Sequence, residues 1–124
     1  MNAKDGRREF GRMGEEVAAR YLEANGYGVL ARNYRREGCE VDIICRAPCG
    51  CLVFTEVKTR SRGTYGEGFE AVERVKQARI VKVSLSYISE HVAGDCDIRY
   101  DVVSVTIGGF ENTIEHFVNA FDAC

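Results

Sequence analysis

The chain has 124 residues, 45% of them hydrophobic and 29% charged, with a formal charge of −2. That balance fits one soluble folded domain over residues 1–124 and excludes a disordered chain or a polycation; no apolar run reaches membrane length. The first eight residues are polar and lack the apolar core of a secretory leader, so a cytoplasmic location is expected.

The charge is uneven. Residues 1–62 hold 12 Lys+Arg against 9 Asp+Glu, and residues 63–124 hold 5 against 10, giving +3 and −5. A nucleic-acid surface must therefore be local, with Arg32, Arg35, Arg36, Lys58, Arg60, Arg62, Arg74, Lys76 and Arg79 as candidates. Six cysteines, without a secretory leader, read as reduced thiols. Cys45, Cys49 and Cys51 have a C-x3-C-x-C spacing that matches no usual zinc finger, and no histidine stands nearby to complete a set.

In chain order, Glu9 to Ala24 reads as a helix with Phe10, Met13, Gly14, Val17, Ala18 and Tyr21 on one face. Asn25-Gly26 supplies its stop. Glu15 lies at the border of the apolar stripe, where a carboxylate can reach a neighbouring sheet; Glu16 points away. Tyr27 to Tyr34 is a first strand, and Arg35 to Gly38 a charged turn.

Cys39 to Cys45 and Cys51 to Arg60 then alternate around Ala47-Pro48-Cys49-Gly50, the pattern of a β-hairpin. With Pro48–Gly50 as the loop, Ala47 faces Cys51, Asp42 faces Glu56, and Glu40 faces Lys58. Residues facing each other across an antiparallel pair share a face, with Cβ atoms about 5 Å apart. One face would be apolar (Val41, Ile43, Cys45, Val53, Val57), and the other would carry Glu40, Asp42, Glu56 and Lys58. Two carboxylates so close repel unless a cation lies between them. Hard oxygen donors of this kind suit Mg²⁺ or Mn²⁺, and a lysine on the same face can touch water or phosphate. The plainer reading of the same residues is a cross-strand ion pair beside solvated acids.

Residues 59–68, rich in Gly, Arg and hydroxyls, read as a flexible substrate-facing loop; their glycine spacing matches neither a Walker A loop nor a dinucleotide fingerprint. Phe69 to His91 is the long helix, with Ala71, Val72, Val75, Ala78, Val81, Leu85, Ile88 and Val92 as its stripe. On that phasing Lys76 projects to the opposite side, and Arg79 and Lys82 lie between the faces. Gly94 to Asp97 is a turn, Ile98 to Ile107 a strand, and Thr113 to Phe117 a short edge strand.

The run Glu40-Val41-Asp42-Ile43-Ile44, followed by Phe54-Thr55-Glu56-Val57-Lys58-Thr59-Arg60, resembles the PD-(D/E)-x-K nuclease signature. Together with Gly14-Glu15, Arg32-Asn33-Tyr34-Arg35, Ala71-Val72, Lys76-Gln77-x-Arg79 and Tyr100-Asp101-Val102-Val103, it resembles the YraN family. That is a family of uncharacterised bacterial proteins related to Holliday-junction resolvases. The likeness runs from about Phe10 to Phe121. It implies an α/β, restriction-endonuclease-like fold: a mixed central sheet flanked by helices in αβββαβ order.

The resemblance further implies that Asp42 and Glu56 bind Mg²⁺ or Mn²⁺ with the Val57 carbonyl, that Lys58 positions or activates water, and that Glu15 adds an acid. Arg32, Arg35, Arg60, Lys76 and Arg79 would hold nucleic acid, with DNA the expected partner and a homodimer the assembly that related resolvases suggest. The family pattern commonly has Gly before the first Glu, where this chain has Cys39. A metal-dependent DNA nuclease is the expected function. The alternative is a catalytically silent nucleic-acid- or protein-binding module on the same fold, since fold does not guarantee chemistry.

Overall fold

A computed structural model describes residues 3–63 and 73–122, with side chains from residue 6 onward. The elements run α1 (Ala3–Ala24), β1 (Gly28–Arg36), β2 (Cys39–Arg46), β3 (Leu52–Ser61), α2 (Arg74–His91), β4 (Ile98–Ile107) and β5 (Thr113–Phe121). The five strands form one sheet in sequence order, in which β3 and β4 are parallel and every other neighbouring pair is antiparallel. This is the α/β class with the mixed sheet expected, extended to α-βββ-α-ββ because β5 is a full nine-residue strand. Thr59 to Ser61 of the expected 59–68 loop instead continue β3; residues 64–68, and the start of the helix placed at Phe69, lie outside the described residues.

The sheet is covered on both faces, so its central strands bury both sets of alternating side chains. On one face α2 contributes Ile80, Val83 and Tyr87 to a core with Ile44, Leu52, Phe54, Tyr100, Val102 and Phe121. On the other, α1 contributes Ala18, Ala19 and Leu22 to a core with Ile43, Cys45, Val53, Val103 and Val105. Full burial of a side chain such as Phe54 or Leu22 stabilises by roughly 1.5–3 kcal/mol. The hairpin face expected to be polar is thus apolar toward the turn, where Ile44, Leu52 and Phe54 are buried. Val41, expected with Ile43, packs instead in the α2-side core.

Two helix expectations are corrected. α1 starts at Ala3 rather than Glu9, and its Met13 is exposed, because the buried contacts come later, at Ala18, Ala19 and Leu22. α2 is rotated from the expected stripe: Val81, Ile88 and Val92 pack partly buried against the core as expected, but Val75 and Leu85 are 62% and 60% exposed, and the buried positions are Ile80, Val83, Ser84 and Tyr87. The reason is tertiary. The Ser84 hydroxyl lies 2.7 Å from the Tyr100 hydroxyl, and Tyr87 packs edge-on to Phe54, so a polar residue and an aromatic outrank a leucine for the buried side. Lys76, one turn before Ile80, then shares the face turned toward the sheet.

Candidate active site

The hairpin turns as expected. The Ala47 N–H donates to the Cys51 carbonyl at 2.9 Å, and Gly50 closes the loop with φ 100°, a conformation few residues other than glycine adopt. The ladder pairs Arg46 with Leu52, Cys45 with Val53, Ile44 with Phe54 and Ile43 with Thr55. This is the predicted register. At the next position the pairing gives way. The Val57 N–H donates not to a strand carbonyl but to Asp42 Oδ2, at 2.8 Å. The hairpin therefore opens where Asp42 and Glu56 stand.

Asp42 and Glu56 line a cleft of about 370 Å³ between the opened hairpin and the start of α2, with Lys76 and Arg79 on its helical side. Glu56 is only 5% exposed. The Asp42 carboxyl is pushed up to about 8, first by burial and then by the Glu56 charge, with Glu15 adding to the effect; the Val57 N–H opposes it. Lys76 Nζ lies 2.6 Å from Glu56 Oε1. Burial works against that ammonium, but the hydrogen bond and charge of Glu56, with Asp42 behind it, leave its pKa raised.

Glu15 approaches from α1. Its carboxylate accepts from Asn33 Nδ2 at 2.9 Å. Asn33 sits in β1 between the pairs Arg32–Ile43 and Tyr34–Val41, with φ 51°, so the strand is locally kinked. Non-glycine residues take this conformation rarely, asparagine most readily. One residue earlier than Glu15, Gly14 lets α1 settle against β3: a Cβ there would overlap the Thr59 side chain. The α1–sheet distance that brings Glu15 near Asp42 thus depends on the missing side chain at 14.

The other predicted residues are placed as follows. Glu40 does not face Lys58 but is held by Arg35 across β1, at 2.9 Å, because the β2–β3 ladder has ended by then. Lys58 is half-buried on β3, beside Ser104 of β4; the ammonium on Glu56 is that of Lys76. Arg32 is paired with Glu16 at 2.9 Å, and Arg60 lies half-buried on β3 opposite Thr106. Arg79 lines the cleft. Cys45 is buried, which raises its thiol to about 11 and makes it inert. Cys39, Cys45, Cys49, Cys51 and Cys96 are all free thiols, and among the described residues no three His, Cys, Asp or Glu side chains form a metal-binding set.

Residues 14–105, spanning Glu15, the opened hairpin and most of β4, match uncharacterised protein family UPF0102. The chain belongs to that family. A UPF0102 protein from Trichlorobacter lovleyi is 45% identical over 118 residues, covering 94% of this chain and 93% of the relative. Another from Pelobacter propionicus is 42% identical over 122 residues, covering 97% and 87%. Membership agrees with the YraN-like pattern read from the sequence. Among solved structures, that of Pyrococcus furiosus SfsA in complex with Ca²⁺ is similar with a TM-score of 0.41 at 12% identity. That match covers 90% of this chain and 63% of the other, too loose a likeness to transfer any feature. Among the described residues no helix of this UPF0102 chain is long and apolar enough to cross a membrane.

Two residues beside the Asp42/Glu56 cleft and Glu15 make contacts that the sequence pattern does not convey. Lys76, expected on the far side of its helix, instead neutralises Glu56. Asn33, legible only as part of a motif, anchors Glu15. An asparagine in the middle of a strand is the available signal, since asparagine marks backbone kinks.

Proposed function

We propose that this UPF0102 protein is a metal-dependent nuclease that hydrolyses DNA phosphodiester bonds with structure rather than sequence specificity. The observation that carries the reading is the opening of the hairpin at Asp42 and Glu56. Two largely buried carboxylates face one cleft, and one of them is pushed up to about 8 by burial and by the other. Perturbation of that kind, in a cleft, is characteristic of sites that do chemistry.

The donor set fits Mg²⁺ or Mn²⁺: two hard carboxylates whose mutual repulsion a cation would reverse. Asp42, fixed by the Val57 N–H, and Glu56 would hold it, with the Val57 carbonyl as the further ligand that the family resemblance suggests. Bound there, the ion would supply charge stabilisation at the scissile phosphate. Lys58 would position the attacking water, and Arg79 at the mouth of the cleft would hold a flanking phosphate without reading bases.

The test is cleavage of labelled single-stranded, duplex, flap and four-way-junction DNA with Mg²⁺ or Mn²⁺, beside Lys58→Ala and Asp42→Asn proteins prepared identically. We expect one branched or open substrate to be cut and both variants to lose at least about 100-fold in rate. Cleavage that survives in both variants belongs to a contaminant.

One observation favours a second reading, a binding module without turnover. Lys76 already neutralises Glu56 at 2.6 Å, as an ammonium would in a retired metal site. Calorimetric titration with Mn²⁺ separates the two: binding that Asp42→Asn abolishes supports the nuclease, whereas DNA binding with neither cleavage nor metal uptake supports the module.

A further inference from the structure

The basic residues expected to hold nucleic acid are largely engaged within the fold. Arg32 is on Glu16, Arg35 on Glu40 and Lys76 on Glu56. The N-terminal half of α1 is different. Arg7, Arg8 and Arg12 are exposed, and none forms an ion pair with a described residue. With Arg35 they line a groove of about 610 Å³ that ends at Glu15, Asn33 and Glu40. Glu40 also lines the cleft of Asp42 and Glu56, so the two depressions meet at that side chain.

Helical geometry orders the groove. Positions 8, 12 and 15 fall within a narrow arc of one helix side. Arg8 and Arg12 stand about 6 Å apart along the axis, at the 1.5 Å rise of an α-helix, and Glu15 follows after about 4.5 Å more. A row of guanidinium groups therefore leads toward the carboxylates. Gly11 lies in the same groove, and a Cβ there would meet nothing within 4 Å. A single small anion can be shared by two neighbouring arginines but cannot span the length of the groove. A linear polyanion can engage the row.

We propose that this groove binds the phosphodiester backbone of DNA, with Arg8 and Arg12 contacting the phosphates on one side of the bond that enters the Asp42/Glu56 cleft. The identity of the occupant rests on the nuclease reading, whereas the groove and its direction rest on α1 itself. Contacts of this kind fix register on the strand and carry no sequence information. Their strength falls steeply with salt, because each neutralised phosphate releases counterions.

The test measures fluorescence anisotropy of a labelled DNA oligonucleotide, single-stranded and duplex, without divalent ions and across a salt series. The proteins are the natural chain, the double variant Arg8→Ala/Arg12→Ala and the single variant Gly11→Glu. The Gly11→Glu substitution puts a negative charge into open space in the groove and replaces a poor helix former with a better one. Circular dichroism confirms that each is folded. We expect Kd to rise about tenfold or more in both variants, and the slope of log K against log salt to shrink by about 2 in the double variant.

Unchanged affinity and slope in both variants overturn the proposal, as does a natural chain that binds RNA but no DNA, or binds neither. The cleavage assay separates this failure from that of the nuclease reading. A natural chain that cuts DNA, with kcat/KM unaffected by Arg8→Ala/Arg12→Ala, sinks the groove and keeps the nuclease. DNA binding lost in both variants, when no protein cuts any substrate, keeps the groove and sinks the nuclease.

Discussion

Asp42, half-buried at the cleft, and Asp101, fully buried, are acids on inner strands, and their surroundings push them in opposite directions. Asp101, on β4, is fully inaccessible. Burial alone would raise it, but His116 Nε2 lies 2.7 Å away, Arg99 donates to both its oxygens at 2.9 Å, and the Asn119 N–H donates at 2.9 Å. The outcome is a pKa below the usual carboxylate range. The network continues outward, with the Tyr21 hydroxyl 3.1 Å from His116 Nδ1 and Arg99 donating to the Tyr27 hydroxyl at 2.7 Å. Asp42 has one N–H partner and two carboxylates for company, and rises to about 8. A fully satisfied buried acid ties α1, β4 and β5 together. A poorly satisfied one stores repulsion that a cation can relieve, which is what a site needs and a scaffold avoids.

Removing the charges should expose this contrast. Asp101→Asn leaves the largely buried Arg99 guanidinium without its counter-charge and disturbs the His116 contact, and breaking such a pair costs about 3–5 kcal/mol. Urea unfolding at neutral pH should show that loss; a change under about 1 kcal/mol would mean that the network is not a structural tie. Asp42→Asn should act in the other sense and stabilise the chain at pH 8 without metal by about 1–2 kcal/mol, as functional acids commonly do when neutralised.

The pH dependence sharpens the same pair. The unfolded chain ionises Asp42 near pH 4, whereas the folded chain keeps the proton until about 8. Between those values the folded state binds more protons, so the Asp42 contribution to stability falls as pH rises. The advantage of Asp42→Asn over the natural chain should therefore grow from about pH 4 to 8 and then level off. Asp101 has the opposite sign. Its folded pKa is depressed, so its contribution is complete above about pH 4 and is lost as pH falls through the depressed value. A natural-minus-Asp42→Asn stability difference that stays flat from pH 4 to 8 would contradict the strain assigned to Asp42.

What sequence patterns reveal divides along the same line. The hairpin register is legible because Pro48–Gly50 fixes the turn and alternation does the rest, so counting outward from the turn gives each pair as far as Ile43 with Thr55, and Asp42 and Glu56 stand at the next position, where the ladder opens. The phase of α2 is not. Val75, Leu85 and their neighbours form as good an aliphatic stripe as Ile80, Val83 and Tyr87, and the contacts that decide between them, Ser84 with Tyr100 and Tyr87 with Phe54, cross from helix to sheet. The Asp101 network is invisible for a similar reason: His116 and Tyr21, joined by a hydrogen bond, are 95 residues apart in sequence. Register is written locally, whereas helix rotation and buried polar networks are settled by partners far along the chain.

The smallest effect concerns Lys76, which makes the Asp42 region partly resemble that of Asp101 by supplying one counter-charge. Lys76→Met removes it. The ammonium is about half exposed, so the ion pair itself contributes no more than about 1 kcal/mol, and the variant should remain folded. Glu56, almost wholly buried, then has no cation, and a divalent ion no longer competes with the ammonium for Oε1. Added Mn²⁺ should therefore raise Tm more in Lys76→Met than in the natural chain, and Mn²⁺ should bind several-fold more tightly. An equal or smaller Tm shift would mean that the metal, if it binds, does so away from Glu56. The repulsion between Asp42 and Glu56 would then serve no cation site, and the contrast between the two aspartates would be one of hydrogen-bond partners alone.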